Sequence, residues 1–361
     1  MTRICSHVAS NEEDSRIRHA SFAVIALLVS LPGVAASKSP ASGPGYHLVK
    51  KIAVGGEGGW DYLTIDGAAR RLYVSRSTRV QVFDADSGAL VGEIPNTAGV
   101  HGVALVRELD RGFTSNGRAS TVTVFELKSL KTISETKTTG ENPDAILYDA
   151  ASRRVFTFNG RGGNATAIDA ATGAVAGTVS LDGKPEFAAA DGKGRVFVNI
   201  EDKSVIDVID SQKLSVEKHW PLAPCEEPSG MAFDEKNRRL FVGCSNRMMA
   251  VVDSGSGRVV TTVPIGEHVD ANAFDPAAGL AFASCGDGTL TVAHEDSPDR
   301  FTVVQNVETQ RSARTMALDP KTHNVFLAAA QFGPPPSPTP DQPRPRPVMV
   351  PGSFVLLVFG K

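Results

Sequence analysis

Seven polar residues recur along this chain at intervals of about 40 to 44 residues. Four of them are carboxylates, and carboxylates that meet in a concavity either bind a hard cation or perturb one another's pKa. The histidine among them could transfer protons, and the arginine could hold an anionic substrate. In chain order, the residues are Asp61, His101, Asp144, Glu186, Ser229, Asp270 and Arg314.

The interval comes from a repeated unit. In one copy, a short apolar segment ends at Asp149, the basic pair Arg153-Arg154 follows, and a second strand carries Phe156. A third alternating strand, a glycine turn and a fourth strand complete the copy, and a period near 42 residues is typical of a four-stranded propeller blade. Each polar residue stands five positions before the end of the apolar segment. The aromatic positions of the seven copies are Tyr73, Phe113, Phe156, Phe197, Phe241, Phe282 and Phe326.

The repeat predicts an all-β fold, a seven-bladed β-propeller spanning residues 46–361 as one domain. The seventh copy ends without its fourth strand, whereas residues 47–54 form a strand that precedes the first copy. Pairing the two would close the ring and remove an exposed sheet edge. We therefore expect the N-terminal strand to complete the last blade.

The repeat also resembles a known family. The strands Leu72-Tyr73-Val74-Ser75 and Val196-Phe197-Val198-Asn199, which follow an aspartate and one or two basic residues, resemble the YVTN repeats of YncE-like propeller proteins. The resemblance covers nearly all of residues 46–361 and implies the propeller fold. It leaves the function open, because propellers serve both as binding modules and as enzymes.

The N-terminus has the pattern of an export signal. Arg16 and Arg18 precede an apolar run over residues 20–31, and small residues suit cleavage after Ala36. We expect residues 1–36 to be a signal peptide and residues 37–45 a linker, which predicts a periplasmic or secreted protein. No later stretch is apolar and long enough to span a membrane. The net charge of −3 gives no general attraction to nucleic acid, so we expect no nucleic-acid partner and no membrane span in the mature protein. We also expect a monomer.

In a propeller, the first strand of each blade begins beside the central channel, so the seven polar residues should line a funnel. One interpretation is a ligand or metal site in which Asp61, Asp144, Glu186 and Asp270 hold a divalent cation such as Ca²⁺ or Mg²⁺. The alternative is a water-filled channel whose polar side chains are merely solvated.

A second candidate set lies in the loops between the second and third strands, on the same face. Arg76, Asn159 and Arg161 are candidate ligand-binding residues, because arginine binds carboxylates and phosphates. The alternative is simple turn chemistry, since Asn-Gly favours tight turns.

Three cysteines remain after the predicted cleavage: Cys225, Cys244 and Cys285. Cys225 lies in the loop entering the fifth blade and Cys244 just past its second strand, so both belong to the funnel face. We expect a Cys225–Cys244 disulfide and a free Cys285.

A proline-rich insertion, residues 332–352, interrupts the last blade between its second and third strands. Prolines favour extended segments without internal hydrogen bonds. The insertion could be a lid over the funnel, an arm that binds a partner, or a tolerated surface loop.

Three functions fit these residues. The first is a binding or scaffolding module that takes a small molecule, a protein or a peptide at the funnel face. The second is a metal-assisted hydrolase or lyase of lactonase type, with the four carboxylates as ligands, His101 as general base and Arg314 holding the substrate. The third is a redox or copper-handling role through Cys244, Cys285 and His268.

Overall fold

The computed structural model describes residues 45–339, 343 and 345–361, and the repeats in these ranges form seven four-stranded antiparallel sheets. In each sheet the apolar segment of the repeat is the first strand and the strand with the aromatic residue is the second. Two single-turn 3₁₀ helices, Arg107–Leu109 and Glu201–Lys203, lie between strands. The predicted signal peptide and almost all of the predicted linker lie outside the described residues.

The first three blades follow one another directly along the chain. Blade 1 consists of β2 (Leu63–Asp66), β3 (Arg71–Arg76), β4 (Arg79–Asp84) and β5 (Leu90–Pro95). Blade 2 consists of β6 (Val100–Val106), β7 (Arg111–Asn116), β8 (Thr121–Glu126) and β9 (Thr132–Lys137). Blade 3 consists of β10 (Pro143–Asp149), β11 (Arg154–Asn159), β12 (Asn164–Asp169) and β13 (Val175–Ser180).

The next three blades repeat the same order. Blade 4 consists of β14 (Pro185–Ala190), β15 (Arg195–Ile200), β16 (Val205–Asp210) and β17 (Ser215–Pro221). Blade 5 consists of β18 (Pro228–Asp234), β19 (Arg239–Cys244), β20 (Met248–Asp253) and β21 (Val259–Pro264). Blade 6 consists of β22 (Val269–Asp275), β23 (Leu280–Cys285), β24 (Thr289–Ser297) and β25 (Arg300–Glu308).

Blade 7 joins the two ends of the described chain. It consists of β26 (Met316–Leu318), β27 (Val325–Ala329), β28 (Val355–Gly360) and β1 (His47–Ala53). Strand β1 pairs antiparallel with β28, from His47 opposite Gly360 to Ala53 opposite Val355. The predicted seven-bladed propeller, closed by its N-terminal strand, is therefore confirmed.

The aromatic residue of each repeat packs between neighbouring blades. All seven of these side chains are buried. The apolar clusters around them combine residues of adjacent blades, as where Phe113 of blade 2 packs with Val155 of blade 3. The alternating apolar pattern of the strands therefore supplies the core between the sheets.

The aspartate and the second basic residue of the repeat have structural roles. Asp66 accepts hydrogen bonds from the backbone N–H groups of Ala68 and Ala69 and so fixes the turn after the first strand. Arg154 donates to the backbone carbonyls of Ser211 and Gln212 in the next blade, at 2.6 and 3.0 Å. Arginines at the same repeat position in blades 1, 2, 4 and 5 bond the following blade in the same way. The second basic residue thus links neighbouring blades and is not free to bind a ligand.

The cysteines of blade 5 form a disulfide. Cys225 and Cys244 are bonded, with their Cα atoms 5.4 Å apart. Cys285 is free and buried, and burial raises the pKa of its thiol to about 12. The thiol is therefore neutral and unreactive at ordinary pH, because the thiolate is the nucleophile and metal ligand.

The proline-rich strap, residues 332–352, is anchored at its base by β-type pairing. Phe332 and Met349 form an antiparallel bridge, and the backbone N–H of Gly333 donates to the carbonyl of Val348 at 2.9 Å. The backbone N–H of Val350 donates to the Gln331 carbonyl at 2.8 Å. In the described ranges, no helix has the length and apolarity needed to cross a membrane.

Candidate functional site: the central funnel

The ring residues stand at or just before the start of the innermost strands, where the blades converge. Three of them, from blades 1 to 3, form one cluster: Nδ1 of His101 lies 2.6 Å from Asp61 and 3.5 Å from Asp144. In blade 4, Glu186 pairs with Lys184 at 2.7 Å.

The remaining three blades form the other side of the ring. Nε of Arg314 lies 3.1 Å from Asp270, whose other oxygen is 3.4 Å from the Ser229 hydroxyl. The structure therefore places all seven predicted ring residues around the funnel, each with a polar partner.

The surroundings of His101 favour a proton on both ring nitrogens. Nδ1 bonds Asp61, and the Asn142 side chain also forms a hydrogen bond with the imidazole. Burial on its own lowers the pKa of His101, but the hydrogen bond to Asp61 and the charges of Asp144 and Asp61 raise it to about 9. An imidazolium cannot accept a proton, so the general-base role of His101 stays a prediction that requires the loss of this proton.

The close approach of His101 depends on Gly117 of blade 2. A Cβ atom at this position would lie 2.5 Å from Nε2 of His101 and 2.8 Å from Oδ1 of Asn142. Gly117 therefore leaves the space that the imidazole and its amide partner occupy.

The four carboxyl groups hold their protons more tightly than usual. Burial, and then the charge of Asp144, raise the pKa of Glu186 to about 7 despite the nearby Lys184 ammonium. Burial also raises the pKa of Asp144 to about 6, where the Asp61 charge adds to the effect and His101 opposes it. The pKa values of Asp61 and Asp270 are raised too, chiefly by burial. Lys184, Arg314 and His101 therefore compensate the carboxylate charges only in part, and ionising the whole ring is unfavourable without a further cation.

An aromatic pair narrows the channel below the ring. Tyr62 of blade 1 and Phe187 of blade 4 have ring centroids 4.4 Å apart, although their blades are not neighbours. The Tyr62 side chain also hydrogen-bonds Asp144. A small cavity of about 230 Å³, lined mostly by residues with apolar side chains, lies against this pair. The carboxylates therefore form the floor of the funnel, and a ligand reaches them from the mouth.

The mouth of the funnel is an open cavity of about 720 Å³. Asp61 and His101 belong to its lining, and the exposed Arg118, Arg161 and Arg346 also line it. Among the described residues, no carboxylate lies within ion-pairing distance of these three arginines. The mouth thus offers cationic groups above an acidic floor.

Two residues predicted to bind ligand do not face the cavity. Arg76 is buried, its guanidinium stacks 3.8 Å over the Phe354 ring, and it donates to the backbone carbonyls of Gly55 and Glu57. Asn159 is buried, and its side-chain amide donates to neighbouring side chains in its own blade. Their assignment as ligand-binding residues is corrected, because their donors are used within the fold.

The predicted metal ligands separate into two kinds. Ligand atoms of Asp61, His101 and Asp144 lie within 4.8 Å of one another, close enough to hold one ion. Glu186 and Asp270 do not join that group and are instead bound by Lys184 and Arg314. Two of the four predicted carboxylate ligands, Asp61 and Asp144, thus lie together, and the third residue of their group is His101.

Sequence reasoning missed four residues of the funnel floor: Tyr62, Gly117, Asn142 and Lys184. Tyr62 and Phe187 each follow a ring residue directly, so the same repeat register could have found them. Lys184 stands two positions before Glu186, where the other blades carry no lysine or arginine. The importance of Gly117 and Asn142 is visible only from the placement of His101.

The raised pKa values predict that stability falls as the pH rises from 5 to 9. Between its ordinary value of 4.5 and about 7, Glu186 binds more protons in the folded state than in the unfolded state, and His101 does so between 6.5 and about 9. The unfolding free energy must decrease with pH in both windows. Melting temperatures measured at half-unit pH steps should show this decline.

Two variants separate the contributions to the pH profile. Glu186→Gln should flatten the decline between pH 4.5 and 7, and His101→Gln should flatten it between pH 6.5 and 9. Glu93→Gln, an exposed residue outside the funnel, is the control and should leave the profile unchanged. A wild-type melting temperature that rises across this range would contradict the described electrostatics.

The fold and the funnel define a seven-bladed β-propeller with a polar central site. No protein-family model matches the chain, and no curated protein matches it in sequence. Solved propellers do resemble it in shape. A chain in the crystal structure of the mitotic checkpoint complex superimposes with a TM-score of 0.71 at 14% identity, covering 94% of this chain and 99% of that one.

Two further structures give the same result. The WD40 repeats of RRP9 superimpose with a TM-score of 0.72 at 8% identity, covering 85% of this chain and 96% of that one. The structure of U3-55K has a TM-score of 0.72 at 8% identity and covers 85% of this chain and 97% of that one. At these identities the likeness establishes the propeller fold alone.

Proposed function

We propose that this protein is an exported binding module, a propeller of the YVTN-repeat, YncE-like type, that takes a cationic group of its ligand at the funnel floor. The observation that carries the proposal is the ring of four partly buried carboxyl groups below an open cavity. The repeat strands support the family, and the leader pattern supports export to the periplasm or outside the cell.

The carboxyl pKa values support a cationic ligand. Each is raised because the ionised group loses hydration and meets the charge of another carboxylate, and a neighbouring basic residue offsets these effects only in part. A cation on the floor would relieve this repulsion and would bind better as the ring ionises. A divalent ion, or the ammonium or guanidinium group of a small molecule or peptide, has the required charge.

The solved propellers that resemble this chain support a peptide or protein as one form of the ligand. One of them comes from the crystal structure of a complex, so a propeller of this shape can work through binding to other proteins. The mouth cavity of about 720 Å³ has room for a small molecule or for one or two peptide side chains.

The test uses melting temperature with three probes: Ca²⁺, Mg²⁺ and 1,5-diaminopentane. A ligand that binds only the folded protein stabilises it by about 2.7 kcal/mol at a hundredfold excess over its dissociation constant. At least one probe should raise the melting temperature of the wild type. Glu186→Gln and Asp144→Asn should reduce that rise, because each removes a charge from the floor.

Glu93→Gln is again the matched control, because Glu93 is an exposed carboxylate paired with Arg79 away from the funnel floor. It should keep the full rise. If no probe shifts the melting temperature, or if the control loses as much as the funnel variants, the cationic site is wrong.

A metal-assisted hydrolase or lyase is the second candidate, favoured by the closeness of Asp61, His101 and Asp144. An ion at these residues would have to displace the proton from His101, so its binding should strengthen with pH. Metal analysis of the purified protein should then find one ion per chain, lost in Asp144→Asn. Hydrolysis of a simple lactone should be lost with it.

The redox or copper-handling hypothesis is not proposed further. Cys244 is taken up by the disulfide, and Cys285 is buried with its thiol proton held to high pH. No second free thiol lies beside it among the described residues.

A further inference from the structure

A second cavity lies beside the funnel, between the strap and loops of blades 6 and 7. Its volume is about 1050 Å³, and it shares Trp60 and Arg346 with the mouth cavity. The lining of this strap pocket combines aromatic and proline surface with arginines. None of the funnel carboxylates belongs to its lining.

One wall of the strap pocket is an aromatic shelf. The rings of Trp60 and Phe332 have centroids 6.1 Å apart, and Trp60 also packs 5.1 Å from the buried Phe354. Phe332 is nevertheless 47% exposed. Buried packing therefore holds the shelf in place while its outer ring surface remains open to a ligand.

The strap pocket is also lined by positively charged side chains. Arg311, Arg314 and Arg346 all line it. Arg314 is bound to Asp270 through Nε, whereas no carboxylate of the described chain lies within ion-pairing distance of Arg311 or Arg346. Guanidinium groups bind carboxylates with two parallel hydrogen bonds, and two such groups beside an aromatic wall suit a planar anion.

We propose that the strap pocket binds a small aromatic carboxylate. The ring of the ligand packs on the Trp60–Phe332 shelf, and its carboxylate pairs with Arg311 and Arg346. This site takes the opposite charge from the funnel floor and gives the strap a function, since Phe332, Arg346 and Pro347 all belong to the strap.

The chain supplies its own reporter for this site. It contains two tryptophans, Trp60 in the strap pocket and Trp220 in the core of blade 4. In Trp220→Phe, all tryptophan fluorescence comes from Trp60. The probe is 4-nitrobenzoate, a planar anion whose nitroaryl group quenches indole fluorescence on contact.

We expect 4-nitrobenzoate to quench Trp60 saturably, with a stoichiometry of one by calorimetry on the wild-type chain. The neutral 4-nitrobenzamide should bind at least tenfold more weakly, because it cannot pair with arginine. Arg311→Gln and Phe332→Ala should each weaken binding of the anion by about tenfold. Both residues are exposed, so neither change should alter the melting temperature much.

Arg247→Gln is the matched control, because Arg247 is an exposed arginine paired with Glu267 and does not line the pocket. It should bind the probe as the wild type does. The proposal is overturned if 4-nitrobenzoate binding does not saturate, if the amide binds equally well, or if the control loses as much affinity as Arg311→Gln. Calorimetry without the Trp220 substitution keeps the test valid should that variant fold poorly.

Discussion

Deleting residues 47–53 should lower the melting temperature of the protein by about 10 °C and promote aggregation. The deletion removes β1, which pairs with β28 over six residue positions. With about one backbone hydrogen bond lost per paired position and roughly 0.5 to 1 kcal/mol for each, the loss is about 3 to 6 kcal/mol. Each kcal/mol shifts the midpoint by about 2 to 4 °C in a domain of this size. The bare edge of β28 would then be free to pair with another chain.

Calorimetry and size-exclusion chromatography would measure both effects. Lys51→Ala is the control, because Lys51 is an exposed β1 residue whose backbone pairing the substitution leaves intact. The control should melt within a degree or two of the wild type. A deletion variant that melts normally and stays monomeric would show that closure by β1 contributes nothing to stability.

Removing the disulfide should cost about 3 kcal/mol. Cys225 and Cys244 close a loop with a sequence separation of 19, and cross-links of that span restrict the unfolded chain by about this amount. The double variant Cys225→Ala/Cys244→Ala should therefore unfold at a clearly lower urea concentration. Cys285→Ala, which also truncates a buried cysteine but opens no loop, should cost only about 1 kcal/mol.

Thiol counting gives an independent measurement of the same bond. The unreduced, denatured protein should show one reactive thiol if cleavage after Ala36 has removed Cys5, and two if Cys5 is retained. A count of three in protein shown by mass spectrometry to lack Cys5 would contradict the disulfide.

The repeat register predicted the fold and the floor of the funnel because both depend on position within a blade. A residue five positions before the end of the first strand must lie near the channel in every blade, whatever its neighbours are. Asp61, His101 and Asp144 therefore meet as expected, although they are 40 or more residues apart in sequence.

The roles of individual side chains could not be predicted in the same way. Arg76 and Arg161 occupy similar loops, yet Arg76 stacks on Phe354, which lies far along the chain, and Arg161 lines the mouth. The protonation of His101 likewise depends on distances to Asp61 and Asn142 that no pattern encodes. Side-chain contacts between distant blades, and the desolvation they cause, decide these roles.

The contacts of the strap could not be predicted from the sequence either. Its prolines predicted an extended segment without internal hydrogen bonds, and its described parts contain no helix and pair through one β-bridge. The bridge between Phe332 and Met349 and the packing of Trp60 against Phe332 join parts of the chain whose sequences carry no shared pattern. The aromatic shelf could be recognised only from the structure.

The most direct test of a cationic site at the funnel floor is proton release on ion binding. Whichever of Ca²⁺, Mg²⁺ and 1,5-diaminopentane raises the melting temperature most is titrated calorimetrically at pH 7 in two buffers of different ionisation enthalpy. With a pKa of about 7, Glu186 is half protonated at this pH, so an ion that requires its charge should release about half a proton. We predict this release for the wild type and a clear reduction of it in Glu186→Gln, because the other funnel carboxyl groups also have raised pKa values and release the remainder. Absence of binding, or binding without proton release that Glu186→Gln leaves unchanged, would contradict the account.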